Sequence, residues 1–329
     1  MNEIPLTAAL CDYDHVRDLV MGRVNAQGIR LTTLTLPVEE IFYRFLIHKE
    51  WDVSELSLAK YVALRASGDD SCIAIPVFPS RVFRHSSLFV RSDGSVKSIS
   101  DLKGRKIGIP EWAQTAAVYS RGFLVDQFGL DLTSIEWVQS GVNQAGRMEK
   151  VELHLPAGLK LTPRPDRSLN DMLLAGEIDA VLAARPPTSF SEGDPRVKRF
   201  FDDTLAVEQA YYRETGVFPI MHAVVIRKAV LDKNPWIAKN LMAAFEEAKA
   251  RSVARAVDAT ASLVPIPWGA EYARRMQELM GDDFFPYGAE KNRRTLESFL
   301  AHAHSQGVTK RLLKVEELFP ASTTGSHKV

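Results

Sequence analysis

Strand-like and helix-like segments alternate along this chain, and the alternation starts twice. PLTAALCDY (5–13) reads as a strand, the stretch from His15 to Ala26 as a short helix, and IRLTTLTL (29–36) as a strand. In VEEIFYRFLIHK, Val38, Ile41, Phe42, Phe45 and Leu46 fall at i, i+3, i+4, i+7 and i+8, one face of a helix. SELSL (54–58) and CIAIPVF (72–78) read as strands on either side of a helical AKYVALRAS. Strands alternating with helices imply βαβ units and a mainly parallel sheet. After SISDLKGRKIGIPEW (98–112) the pattern begins afresh. A strand, RKIGIP, leads to a helix from Thr115 to Phe128, a strand IEWVQSG, and a loop-rich LPAGLKLTPRPDR. SLNDMLLAGEIDAVLAA (168–184) then reads as a helix stopped near Gly176 and a strand.

A restart of this kind predicts two α/β lobes, and the length agrees. At 329 residues the chain exceeds what one core of about 150 residues accommodates. The last third opens with the strand TGVFPIMHAVVIRK. Asn234-Pro235 then predicts a long helix with Ile237, Leu241, Ala244, Phe245 and Ala248 on one face. Residues 290–319 are expected to be mainly helical, and the polar tail from about 320 to 329 disordered. Lys plus Arg and Asp plus Glu are both 41, so no large basic field exists to hold a nucleic acid or an anionic membrane. No apolar run approaches the roughly 18 residues of a membrane-spanning helix. Cys11 and Cys72 form neither a disulfide framework nor a zinc cluster, and reduced buried thiols are expected. MNEIPLTAAL lacks the basic start and long apolar core of a secretory signal, so a cytoplasmic location is expected. The phosphate-cradling, dinucleotide, HExxH and CxxC motifs are all missing from the sequence. No cofactor is expected, and a divalent metal stays open.

Several segments carry a family likeness: PVFPSRVFRHS (76–86), GIPEWAQTAAVYSRG (108–122), Gly146-Arg147, GEIDAVLAARPP (176–187), YYRETGVFPIMH (211–222) and PYGAEKNR (286–293). With DLKGRKIGIPE and NPWIAKNLMAAFEEAK, the chain resembles the type II periplasmic-binding-protein fold, and more narrowly the 4,5-dihydroxyphthalate decarboxylase family. The likeness covers nearly the whole chain. It implies an α/β fold of two lobes, each a mainly parallel sheet flanked by helices, with a ligand cleft between them. Lobe one would hold both termini, at 1–90 plus 220–329, and lobe two would span 91–219. The crossings would fall near Ser87–Arg91 and Phe218–Val225.

The implied activity is non-oxidative decarboxylation of a dihydroxylated aromatic diacid, 4,5-dihydroxyphthalate, to protocatechuate and carbon dioxide. The implied partner is that small aromatic dicarboxylate, and a homo-oligomer stays open. Such a site needs cations for carboxylates, a proton donor for a ring carbon, and a group to help deprotonate a phenol. Arg81, Arg84 and His85 cluster just after a buried strand, where open α/β sheets bind ligands; a solvated basic loop is the competing reading. His222, amid apolar residues at the second crossing, and His85 are the candidate acids. Glu111 is the candidate phenol base. Trp112 is placed either against the ring or in the packing of its lobe, and Thr115 at a helix N-terminus suited to anions. Arg147 and Arg185 follow strands on the cleft side of lobe two. Asp12, Tyr13 and Tyr43 are candidates for the ring hydroxyls, with Tyr43 pointing to the cleft or to solvent. His15, His48, His154, His302 and His304 have weaker cases, and His302 and His304 are spaced wrongly for a shared metal. Two other readings compete: a solute-binding protein for an aromatic acid, and a lyase for a related hydroxyaromatic acid.

Overall fold

The computed structural model describes residues 3–324. Eleven strands occur among them in chain order: β1 (Ile4–Leu10), β2 (Ile29–Thr35), β3 (Val53–Ser57), β4 (Cys72–Arg81), β5 (Leu88–Arg91), β6 (Lys106–Ile109), β7 (Glu136–Gln139), β8 (Lys160–Pro163), β9 (Ala180–Leu182), β10 (Val197–Arg199) and β11 (Ile220–Arg227). They form two sheets, β2-β1-β3-β11-β4 and β10-β5-β9-β6-β7-β8. Both sheets are mixed. In the first, only β11 runs against its neighbours; in the second, only β5 does.

The two reversed strands have one cause. The chain leaves the first sheet at Arg81 and enters the second at Leu88, and it re-enters the first at Ile220. Leu88 pairs with Leu182, at the C-terminal end of β9, and His222 pairs with Ser57, at the C-terminal end of β3. Each crossing therefore arrives at the edge where the parallel strands end, and must run back against them. The first crossing is complete by residue 87, slightly earlier than the expected Ser87–Arg91.

Local chemistry explains the elements. Pro76 and Pro79 lie in β4, which is tolerated because β4 is an edge strand and proline lacks a donor. The helix Val38–His48 buries Ile41 and Phe45 and half-buries Phe42 and Leu46, as its periodicity predicts. The helix expected from His15 to Ala26 spans only Asp14–Val20, because Gly22 takes a left-handed φ of 69°. The loop-rich 155–167 stretch contains β8, an edge strand. Residues 290–319 hold the helix Arg293–Ser305 and short turns. In the tail, Ala321–Thr324 form a helical turn rather than a disordered segment, and 325–329 lie outside the described residues. Cys72 is buried, Cys11 half-buried, and both are free thiols. No helix among the described residues is long and apolar enough to cross a membrane.

Candidate active site

The C-terminal edges of the two sheets face each other. Contacts that span them include Ser57 Oγ to Thr115 Oγ1 at 2.9 Å, Lys60 Nζ to Glu111 at 3.0 Å, and Arg185 to Glu39 at 2.7 Å. Open α/β sheets bind ligands outside their carboxyl ends, so this junction is where a site belongs.

On the first sheet the junction is built around Glu55. All five residues of β3 are buried, and Glu55 sits at its centre with a fully buried side chain. A carboxylate so enclosed needs donors. It has three. Tyr13 Oη donates at 2.7 Å, the Cys11 backbone N–H at 3.0 Å, and His222 Nδ1 lies 2.5 Å away. An ionised carboxylate only accepts, so the ring gives it the Nδ1 proton and Nε2 becomes the exchangeable nitrogen. Nε2 makes no hydrogen bond to the described residues, and the His222 side chain keeps 16% of its surface exposed. Phe42 packs edge-on against this ring at 4.8 Å. Burial, then the charge of Glu55, pushes the Tyr13 phenol far above its ordinary range, so it remains a donor. His15 stacks on Tyr13 at 5.2 Å and donates from Nε2 to Pro79 O at 2.8 Å. Burial lowers its own pKa.

Of the expected site residues, the structure brings His222 and Tyr13 together and disperses most of the others. His85 is enclosed between Phe123, stacked at 4.1 Å, and Tyr211, and its Nε2 meets Gln127 Oε1 at 2.8 Å. Burial lowers its pKa, so it is a neutral ring held in an aromatic box rather than a second acid at His222. The fork of Arg81, expected on a substrate carboxylate, is occupied instead by Pro286 O at 2.8 Å and Phe218 O at 2.6 Å. Arg84 differs. Its Nε donates to Met221 Sδ at 3.2 Å and no acidic group pairs with it among the described residues. Burial lowers its pKa to about 10, which leaves it charged at neutral pH.

Glu111 is unsuited to the role of phenol base. Burial pushes its pKa up, but Lys60, Arg147 and Lys150 outweigh that and hold it below the usual range. Its oxygens meet Lys60 at 3.0 Å and Arg147 Nε at 2.7 Å. Trp112 is fully buried, donates to Gln306 O at 2.7 Å, and lies under Arg121 at 3.7 Å, so it packs the lobe and does not face a ring ligand. Thr115 does begin its helix. Its hydroxyl accepts from Ala59 N at 3.0 Å and bonds Ser57, which makes it a tie between the sheets and no anion site. Asp12 is 70% exposed and pairs with Arg17 at 3.6 Å. Tyr43 points to solvent, and Phe42, its neighbour, approaches His222 instead. Arg185 is exposed and reaches across to Glu39.

Sequence reasoning overlooked Glu55 and Lys60. The signal for Glu55 was present: one acid inside a strand otherwise made of Val, Ser and Leu. Gln139, the last residue of β7, is a third omission, with a buried Nε2 that has no partner. No group of three or more His, Cys, Asp or Glu side chains among the described residues is disposed to hold a metal ion.

No family model matches the chain. A 4,5-dihydroxyphthalate decarboxylase of Comamonas testosteroni is 38% identical over 330 residues, covering 100% of both chains. Another of that name, from Pseudomonas putida, is 40% identical over 214 residues, covering 65% of this chain and 83% of its own. Among solved structures, a putative periplasmic sulfonate-binding protein of Methylobacillus flagellatus KT superposes with a TM-score of 0.57 at 16% identity, over 98% of this chain and 93% of its own. The desulfurization enzyme DSZB gives 0.51 at 14% identity, over 96% of each chain. The two structures share the two-lobed fold, which thus occurs in a binding protein and in an enzyme.

Proposed function

The chain belongs to the 4,5-dihydroxyphthalate decarboxylase family, and from that premise we propose how its own residues carry out the reaction. The protein is a carboxy-lyase: it decarboxylates 4,5-dihydroxyphthalate to protocatechuate and carbon dioxide without oxidation. Overall, one proton is taken up at the ring carbon for each carbon dioxide released. His222 supplies that proton from Nε2. The observation that carries this assignment is the 2.5 Å contact between His222 Nδ1 and Glu55, with Nε2 left unpartnered. Glu55 fixes the tautomer and the ring plane, and Tyr13 and the Cys11 amide hold Glu55.

The ring hydroxyl para to the departing carboxylate lends an electron pair as its proton is released, which enriches the carbon that bears the carboxylate. His222 protonates that carbon and the ring loses aromaticity. The carbon–carboxylate bond then breaks, its electron pair returns through the ring to the phenol oxygen, which regains from solvent the proton it gave up, and carbon dioxide leaves. The retained carboxylate is held by arginine, whose planar fork matches both oxygens. Arg84 is suited to this, being a half-buried cation without an acidic partner, and the free end of Arg147 is its counterpart from the second sheet. The departing carboxylate belongs away from both, since an ion pair there would stabilise the ground state. The trigger is a proton rather than a Lewis acid, and the carboxylate nearest His222 is already engaged by three donors, so the proposed chemistry is metal-free.

Incubation with 4,5-dihydroxyphthalate, following protocatechuate and carbon dioxide with and without a chelator, tests this reading. The expected result is turnover that the chelator leaves unchanged. Turnover lost to chelator and restored by metal would overturn the metal-free step. Tight binding without turnover would favour a solute receptor.

A further inference from the structure

Arg81 is a buried cation left without a counter-charge. Its terminal nitrogens donate to two backbone carbonyls, and its face packs on Phe218 at 4.4 Å. Its Nε is buried and has no hydrogen-bond partner. Nearby, Lys249 meets Glu246 at 2.6 Å and Asp283 at 2.8 Å, and Lys291 meets Asp283 at 3.2 Å. Three cations thus stand against two carboxylates, and the charge left over is that of Arg81. A buried, unpaired charge is costly unless something compensates it.

Beside Arg81 lies a cavity of about 50 Å³, lined among others by Tyr212, Phe218, Lys291, Asn292 and Thr295. That is room for more than one water-sized particle and too little for an aromatic ring. Its polar lining includes the hydroxyls of Tyr212 and Thr295 and the Lys291 ammonium. Thr295 Oγ1 already accepts from Phe218 N at 3.3 Å, which leaves its O–H to give. Asn292 directs its amide N–H groups to Pro286 O and Gly288 O, 2.9 Å each. No carboxylate lines the space.

We infer that this cavity is a binding site for one small monovalent anion of halide size, held by Arg81 with Lys291 and Thr295. It is separate from the substrate site. None of the residues that line it belongs to the cluster of His222, Glu55 and Tyr13. The inference does not depend on the decarboxylase mechanism, and its test reads no turnover.

The test titrates the protein with chloride at constant ionic strength, gluconate being the replacement anion because it is too large for the cavity. Chloride-35 line broadening is the readout. Saturable broadening in the millimolar range is expected. Lys291→Met, at a side chain 60% exposed, should keep the fold and weaken binding about fivefold, the effect of one partly screened charge. Arg81→Met should abolish saturation if it folds. A crystal soaked in bromide should show its anomalous peak in this cavity, beside the Arg81 guanidinium. Broadening that does not saturate, or that is unchanged in Lys291→Met, would overturn the site. So would a bromide seen elsewhere only, or at soaking concentrations only, as an adventitious ion only.

Discussion

At the scale of single residues, the assignment turns on one imidazole and the carboxylate behind it. His222→Asn removes the exchangeable nitrogen and keeps a polar group of similar reach. It should lower kcat by about 10²–10⁴-fold, the usual contribution of a positioned acid, with KM changed only a few-fold. Glu55→Gln should give a smaller loss of kcat, because the ring stays in place while its tautomer is no longer fixed. Steady-state kinetics on both variants check this, and wild-type kcat in both would remove His222 from the chemistry. The sequence made His222 visible because a histidine in an apolar strand stands out. Glu55 was hidden by its surroundings: β3 is short, and only the pairing of β11 beside it brings the carboxylate under the ring. Trp112 and Arg81 misled for a related reason. Residue type suggests stacking and carboxylate binding, but neither an indole nor a guanidinium announces that its partners are backbone carbonyls far along the chain, Gln306 O and Pro286 O.

At the scale of elements, the helix after β3 and the loops after β6 and β7 meet through charge. Lys60 contacts Glu111 and Glu149, which are buried or nearly so, and Arg147 closes the group. Glu111→Gln leaves Lys60 with Glu149 alone and takes the carboxylate from Arg147, so it should cost about 1–3 kcal/mol at neutral pH. The sign with pH follows from the lowered pKa of Glu111. Its contribution is fully present above about pH 4.5, the ordinary value, and is lost as pH falls through the lower folded value. Denaturant unfolding of both proteins should therefore show a gap at pH 7 that closes toward strong acid; a gap independent of pH would sink the argument. Periodicity made the larger elements readable. Val38–His48 was legible from its apolar spacing, whereas Thr115–Phe128, buried on every side from Thr115 to Leu124, carries no such stripe and was read from the strand before it. The short strands β8 and β10 were not legible, since three or four residues carry too little pattern and take their pairing from neighbours distant in sequence.

At the scale of the whole molecule, burial of neutral histidines links stability to acidity. Burial lowers the pKa of His15, His85 and His302 from 6.5, in His302 against an opposing pull from Asp126. The unfolded chain takes up protons that the folded chain refuses, so stability is full above about pH 6.5 and declines as pH falls below it. Each ring adds at most about 1.4 kcal/mol per pH unit while it is neutral in the fold and charged in the unfolded chain. Calorimetry should find Tm flat from pH 7 to 8 and falling below 6.5, and His85→Gln should flatten that fall. An unchanged slope in that variant would assign the sensitivity to other groups.

The strand order carries a consequence for how the molecule is made. β11 lies between β3 and β4, yet more than 130 residues are synthesised after β4 before it exists. A nascent chain that has passed residue 199 holds every strand of the second sheet. The first sheet still lacks the strand that belongs between β3 and β4. The histidine and the carboxylate it leans on can therefore meet only after the whole second sheet has been made, when a late strand takes its place between two early ones.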